Sequence, residues 1–376
     1  MSNPVTPTPS ASCGIARAAS TANPFSCPGA EWSKLDALAA MVGRTPLIEI
    51  RYRSRGRDRR VFGKYEQKNM TGSVKDRMAL WIIRAAYQRG ELRPGDTIAE
   101  ATSGNTGISF SAMGRALGHP VRIYMPDWMS RERVMLIQSM GAEVVPVSHD
   151  QGGFKGSIAL ADEFARSEAA AGRRVFLPHQ FDNPANVQAH ERTTAPEIIA
   201  QLESQGLRAA AFVAGVGTGG TVMGVGRALR ARWPGTRVHP LEPANSPTLR
   251  TGNKVGAHRI QGISDEFVPS IVKLSELDEI VDVWDGDAIL ATQRLGRVGL
   301  ALGISSGANF LGADLLLDEL GDDAIVATIL CDSNKKYLST DLYRNEPVRS
   351  EYAAPNIEIL GWRAIGCEAC CGTGCR

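Results

Sequence analysis

The sequence predicts an α/β fold of two doubly wound, mainly parallel-sheet domains, and three observations carry that prediction. From about residue 41 the chain alternates strand-like apolar runs with helix-period segments. Such alternation places parallel strands under helices on both faces. The helical segments stop at glycines or start at capping residues, as separate units require. Glycine-rich or hydroxyl-rich strings directly follow several strands, and in open α/β sheets ligands bind beyond the strands' carboxyl ends. At 376 residues the chain suits one large domain or two.

The elements follow in order. Residues 77–89 (RMALWIIRAAYQR) read as a helix stopped by Gly90, then TIAEA (97–101) as a strand and about 107–117 as a helix stopped by Gly118. VRIYMP (121–126) leads to Ser130, a good N-cap, and a helix ending at Gly141. AEVVPV (142–147), a helix over about 157–171 and RVFLP (174–178) complete the first half. A helix near 187–204, AAAFVAG (209–215), a helix ending near Trp233 and RVHPLEP (237–243) repeat the rhythm. Helices near 286–298 and 307–320 precede the buried strand AIVATIL (324–330). The domain assignment is a flexible tail over 1–30, an N-terminal α/β domain over 31–185, a C-terminal α/β domain over 186–348 and a Cys-rich tail over 349–376.

Lysine plus arginine number 42 against 40 acids, a formal charge of +2. That balance argues against a nucleic-acid or membrane-surface role, which needs a basic excess on one face. No apolar run reaches the roughly 18 residues of a membrane-spanning helix. Residues 1–30 are rich in Ser, Thr, Ala and Pro, with one arginine and no acid. Such a segment buries too little apolar surface to order itself, and one arginine is thin support for a transit peptide. Four of the seven cysteines, Cys367, Cys370, Cys371 and Cys375, crowd the C-terminus. They form a weak candidate metal, cluster or redox site, because zinc sites use separated pairs rather than adjacent cysteines. No other metal site is expected. Few cysteines elsewhere suit a reducing cytoplasm.

Four loops carry chemistry. Gly217, Thr218, Gly219, Gly220 and Thr221 lie between a strand and a helix, where freed N–H groups and a helix N-terminus cradle a phosphate. Gly215, Gly217 and Gly220 also match a dinucleotide fingerprint, with Glu242 placed as its ribose-binding acid. On this loop alone, a nicotinamide-dependent oxidoreductase and a phosphate-bearing cofactor stand level. Thr102, Ser103, Gly104, Asn105, Thr106 and Gly107 offer hydroxyls, an amide and helix-terminal N–H groups to a carboxylate. Lys75, in SVKDR (73–77), heads an apolar helix, and burial there would make its amine a Schiff-base nucleophile and proton carrier. The fourth loop runs from Cys331 to Ser339 after AIVATIL. An HExxH string is absent and the six histidines lack ligand spacing, so a metallohydrolase reading has no support.

Together, GRTPLIEI (43–50), SVKDR (73–77), TSGNTG (102–107), QFDNPAN (180–186), GVGTGGT (215–221), IQGI (260–263), GISSGAN (303–309) and KYLST (336–340) resemble the cysteine synthase (O-acetylserine sulfhydrylase) and cystathionine β-synthase family of pyridoxal-phosphate enzymes. The resemblance covers roughly residues 35–345 and implies a tryptophan synthase β-like fold with the cofactor, pyridoxal 5'-phosphate, in the cleft between the domains. Lys75 would be the Schiff-base lysine, and Asn105 would contact the ring oxygen. Gly217, Thr218, Gly219, Gly220 and Thr221 would hold the phosphate. Thr102, Ser103, Asn105, Thr106 and Gln180 would bind the substrate carboxylate, with Gly262 also at the substrate, and Ser333 would hydrogen-bond the pyridine nitrogen. The implied reaction is β-replacement at C3 of a serine derivative through an aminoacrylate, making cysteine from O-acetylserine and sulfide. Lys75 would remove the α-proton. The implied partners are an amino-acid substrate and sulfide or a thiol, in a cytoplasmic homodimer binding neither nucleic acid nor membrane.

Three departures from the family pattern matter. IQGI is followed by Ser264-Asp265-Glu266-Phe267 rather than a second glycine and a small residue. Asp265 in that string is a candidate catalytic residue that would activate water and turn cysteine into serine plus sulfide; a solvated loop is the plainer reading. Asp332 precedes Ser333 where many members are neutral, so a one-position shift would protonate the ring nitrogen. Asn69-Met70 stands where the family has asparagine–proline. The alternatives are therefore sulfide release from cysteine, cystathionine β-synthase-like chemistry, a nicotinamide oxidoreductase and a non-catalytic scaffold.

Overall fold

The structure, a computed structural model, describes residues 30–367. Its strands are β1 (Leu47–Ser54), β2 (Arg57–Tyr65), β3 (Thr97–Ala101), β4 (Val121–Pro126), β5 (Glu143–Val147), β6 (Val175–Phe176), β7 (Ala211–Gly215), β8 (Arg237–Pro243), β9 (Val281–Val283), β10 (Val326–Leu330) and β11 (Ile357–Ile365). Its α-helices are α1 (Ala30–Ala40), α2 (Lys75–Arg89), α3 (Asn105–Leu117), α4 (Arg131–Ser139), α5 (Gly153–Ala170), α6 (Pro184–Ala189), α7 (Ala195–Glu203), α8 (Gly220–Arg232), α9 (Thr248–Thr251), α10 (Asp285–Arg297) and α11 (Ile304–Leu320).

Two sheets result. The smaller is parallel throughout, in the order β5-β4-β3-β6. Ile98 and Ala99, neighbours on β3, point to opposite faces: Ile98 joins the core under α2 and α3, Ala99 the one under α5. The larger sheet has the order β11-β1-β2-β10-β7-β8-β9. It is parallel from β2 to β9, with β1 antiparallel to both β2 and β11. Side chains of α10 and α11 cover one face and those of α7 and α8 the other. The expected α/β architecture of two doubly wound sheets is therefore present.

The expected boundaries differ from the observed ones. The hairpin β1–β2 lies before residue 185 yet belongs to the larger sheet, paired through β2 to β10. Its turn, Arg55 and Gly56, has positive φ at both positions (50° and 77°), which matches the right-handed twist of a two-residue hairpin. Arg51, Arg53, Arg57, Arg59 and Arg60 lie on these strands. Arg59 is buried, paired with Asp314, Asp318 and Asp322 at 2.6–2.8 Å. Residues 349–367 are likewise not all tail: β11 adds to the sheet along the whole of β1. Over residues 357–362 exposed residues alternate with buried or half-buried ones, the mark of a half-buried strand. Residues 1–29, and with them most of the N-terminal tail, lie outside the described residues, as do Cys370, Cys371 and Cys375. Cys367 is half-buried, and among the described residues no cluster suited to a metal occurs. No helix among them is long and apolar enough to cross a membrane.

Candidate active site

The larger sheet supplies the glycine loop between β7 and α8. Adding a Cβ to Gly217 would drive it into the carbonyl of Gly262, and one on Gly220 would strike the Asn186 amide. Only glycine permits this close packing. Gly219 takes φ +83° as the N-cap of α8 and contributes no capping side chain. Among the described residues, the N–H groups of Gly217, Thr218 and Gly219 find no acceptor. They and the helix dipole make a seat for a phosphate. Asn186 Nδ2 donates to Thr218 Oγ1 (2.9 Å), and Asn309 Oδ1 accepts from Gly215 N–H (2.8 Å), so neighbours hold the loop's shape. Beneath it, His190 Nε2 lies 3.3 Å from Thr221 Oγ1. Burial and the charges of Lys75 and Arg77 hold the His190 imidazole well below its usual pKa, and so neutral.

The smaller sheet supplies the hydroxyl-rich loop between β3 and α3. Thr102 Oγ1 accepts from Gly104 N–H (3.0 Å), and Thr106 Oγ1 donates to Gln180 Oε1 (2.7 Å). Gln180 is tied back to the Ala101 carbonyl (2.8 Å). Below it, Glu100 accepts from the N–H groups of Ala101 and Gln180, and burial pushes its carboxyl up to about 8. Asn105 is clamped at both ends: Nδ2 donates to Asp332 Oδ2 and Oδ1 accepts from Lys336 Nζ, each at 2.8 Å. Its amide orientation is thereby settled.

Lys75 opens α2, half-buried, and its N–H donates to Ser73 Oγ (3.3 Å). Asn69 shapes the approach, donating to Glu66 and the Ser73 carbonyl and accepting from Gly43 N–H. Asn69 thus braces this approach without a following proline. Behind Lys75, Arg77 is enclosed by Glu66 and Glu197 at 2.6–2.9 Å, with Lys64 on Glu197 at 2.8 Å. Burial opposes the Glu197 charge, but the hydrogen bonds from Arg77 and Lys64 prevail and bring its pKa to about 2.

One cavity joins these pieces. Lys75 lines it with Thr102, Ser103, Asn105 and Thr106, with Gln180, with Gly217, Thr218 and Thr221, and with Gly262 and Asp265. The residue types fit pyridoxal phosphate: an amine, a glycine seat for a dianion and a donor-rich loop for a carboxylate. Burial pushes the Asp265 carboxyl up to about 6, against the pull of the Lys75 and Lys254 charges. The cavity shares Ser103, Gln261, Gly262, Ile263 and Asp265 with an outer vestibule of about 430 Å³.

Two expectations need correction. Ser333 does not line the cavity. It caps a 3-10 turn, its Oγ accepting from Lys335 N–H at 3.3 Å. Ser305, at the start of α11, lines the cavity instead, beside Cys331. The GISSGAN string carried that signal, but no strand ends there to point to it. Asp332 is not at the cavity wall either; its Oδ2 is used by Asn105 and by Tyr337 Oη (2.9 Å). Burial pushes the Cys331 thiol up to about 11, which keeps it protonated. Glu242, the acid of the oxidoreductase reading, is buried away from the cavity and accepts from Leu249 N–H at 2.6 Å.

Comparisons with known proteins agree with this geometry. The family described as pyridoxal-phosphate dependent enzyme matches residues 38–332. A probable cysteine synthase of Bacillus subtilis is 42% identical over 306 residues, 81% of this chain and 96% of that protein. A hydrogen sulfide-producing enzyme from Fusobacterium nucleatum is 50% identical with a TM-score of 0.84, covering 88% of this chain and 99% of that one. An aspartate-to-asparagine variant of that enzyme, solved with an α-aminoacrylate intermediate, gives a TM-score of 0.85. A fold, a lysine-bearing cavity and a phosphate seat thus converge with sequence similarity over most of the chain, which belongs to the pyridoxal-phosphate-dependent enzymes of the cysteine synthase family.

Proposed function

We propose that this enzyme exchanges sulfide with an oxygen substituent at C3 of an amino acid. Run toward cysteine, the exchange consumes O-acetylserine and sulfide, the reading that the cysteine synthase relatives support. The observation that carries the proposal is the single cavity in which Lys75 meets both the carboxylate loop and the glycine seat. The cofactor supplies the electron sink that makes loss of the α-proton feasible. The chain's residues do the rest. Thr102, Ser103, Thr106 and Gln180 hold the substrate carboxylate, and Lys75 Nζ takes the α-proton. Gly217, Thr218, Gly219, Gly220 and Thr221 would anchor the phosphate, and Ser305, on the cavity wall, would be available to the ring. Asn105, clamped by Asp332 and Lys336, would contact the ring oxygen through its amide. A homodimer in the cytoplasm belongs to the same reading, on the family resemblance and the scarcity of cysteines between the chain's ends.

Asp265 favours a second reading, in which water enters instead of sulfide: cysteine and water become serine and hydrogen sulfide. A half-buried carboxylate whose pKa is raised to about 6 is a fit base for water, and the sulfide-producing neighbour is the more similar of the two relatives compared. Assaying sulfide consumption with O-acetylserine against sulfide release from cysteine separates the directions. Release is expected to rise as pH passes through about 6, where Asp265 loses its proton. In Asp265→Asn, release should fall about 100-fold, far more than synthesis does. Equal losses in both directions would remove Asp265 from the water step.

A further inference from the structure

Asp265 sits between two anchors that belong to different sheets. On one side Ser264 is tied to the larger sheet. Its N–H donates to the Val216 carbonyl (2.8 Å), and its Oγ reaches the Ser246 carbonyl (3.0 Å) and Thr248 Oγ1 (2.8 Å). Ser264 has φ +54°, a conformation that a serine keeps only when its surroundings hold it there. On the other side Glu266 reaches the N-terminus of α5, the helix that covers one face of the smaller sheet. Its carboxylate accepts from Phe154 N–H (3.3 Å) and Lys155 N–H (3.4 Å). The N-cap, Gly152, makes no side-chain cap, so Glu266 supplies from across the cleft what a capping residue usually supplies locally. Phe267 strengthens the attachment, stacking edge-on against Phe181 (5.1 Å), which packs on Phe154 (5.5 Å). Phe181 follows Gln180, so the same ladder reaches the carboxylate-binding residues.

We propose that Glu266 is a positioning residue: by capping α5 it holds Asp265 at the cavity wall and so favours attack by water over attack by sulfide. This rests on the reading of Asp265 as the base for water. Asp265 owes its place to a backbone pinned one residue before and one residue after. Ser264 fixes where the loop leaves the larger sheet, and Glu266 fixes where it meets the smaller one. With the Glu266 cap gone, the segment's hold on the smaller sheet is reduced to the Phe267–Phe181 contact, while Ser264 and the bond from Thr248 Oγ1 to the Asp265 carbonyl (3.4 Å) keep its other end. A misplacement of about 1 Å in a reacting group is enough to cost about 100-fold in rate. Sulfide attack needs no base and should not depend on this tether. The charged groups facing Asp265 are Lys75 from α2, Lys254 and Glu266.

The test uses the holoenzyme and three variants, Glu266→Ala, Glu266→Gln and Asp265→Asn, each assayed for sulfide release from cysteine and for cysteine synthesis. Glu266→Ala should lower kcat for release by about 10- to 100-fold with a much smaller change in KM, and lower synthesis far less. Its release profile should also shift toward lower pH, because Asp265 becomes better solvated and loses a neighbouring negative charge. Glu266→Gln, which keeps one acceptor oxygen and the side-chain length, should recover part of the loss and serves if the alanine variant folds poorly. An unchanged ratio of release to synthesis and an unmoved pH profile in both Glu266 variants, with Asp265→Asn impaired, would overturn this inference alone. Normal release in Asp265→Asn would overturn the underlying reading and this inference together.

Discussion

Lys75→Ala is expected to lose at least about 1,000-fold in turnover while keeping its fold, since general acid–base catalysis alone contributes about 10²–10⁴. The residue opens α2, and alanine is the best helix former at such a site. Its backbone N–H keeps Ser73 Oγ as acceptor. What disappears is the amine proposed both to bind the cofactor covalently and to carry the α-proton. Lys75→Arg should not rescue activity, because a guanidinium does not lose its proton in a protein. Circular dichroism and the kinetics of both directions check this. Activity within tenfold of the parent enzyme would assign the proton transfer to another group.

Arg77→Ala should be the most destabilising single change near the site, at about 3–5 kcal/mol. The Arg77 side chain is fully buried, and it alone neutralises Glu66, also fully buried, among the ion pairs of the described residues. Glu197 would keep Lys64 (2.8 Å) but lose two hydrogen bonds from the guanidinium. Removing one member of a buried charged cluster strands the others, which is why the loss exceeds the worth of a surface pair. The cluster also links β2, α2 and α7 two residues from Lys75, so cofactor retention should weaken in step. Arg77→Lys should recover little, because an ammonium cannot serve two carboxylates in the planar, forked geometry seen here. The check is the unfolding midpoint at fixed cofactor concentration, since a bound ligand itself raises it. A shift as small as that of a surface substitution would contradict the expectation.

The loops proposed to bind small anions were legible because their chemistry is local. A glycine seat, a hydroxyl-rich turn and a lysine at a helix start each announce themselves within five or six residues, next to a strand or helix that periodicity reveals. What pairs across long separations was not legible. Arg59 reads as surface until Asp314, Asp318 and Asp322 on α11 are brought against it, and β1, β2 and β11 were missed with it. The family resemblance gave Ser333 to the pyridine nitrogen, on a loop that directly follows a strand, where ligands bind in open α/β sheets. Cys331, immediately after β10, does line the cavity. Two residues later the chain has already turned, and the serine hydroxyl spends itself on Lys335 N–H. The clamp on Asn105 joins residues more than 220 positions apart, and no spacing within either loop hints at it.

Reduction of the cofactor-loaded enzyme with borohydride, followed by proteolysis and mass spectrometry, tests the covalent assignment most directly. The pyridoxyl group should be found on the peptide carrying Lys75, and the visible absorbance band of the unreduced, cofactor-loaded enzyme should be absent from Lys75→Ala. Modification of Lys336, the buried lysine on the other side of Asn105, or of no lysine at all, would contradict it.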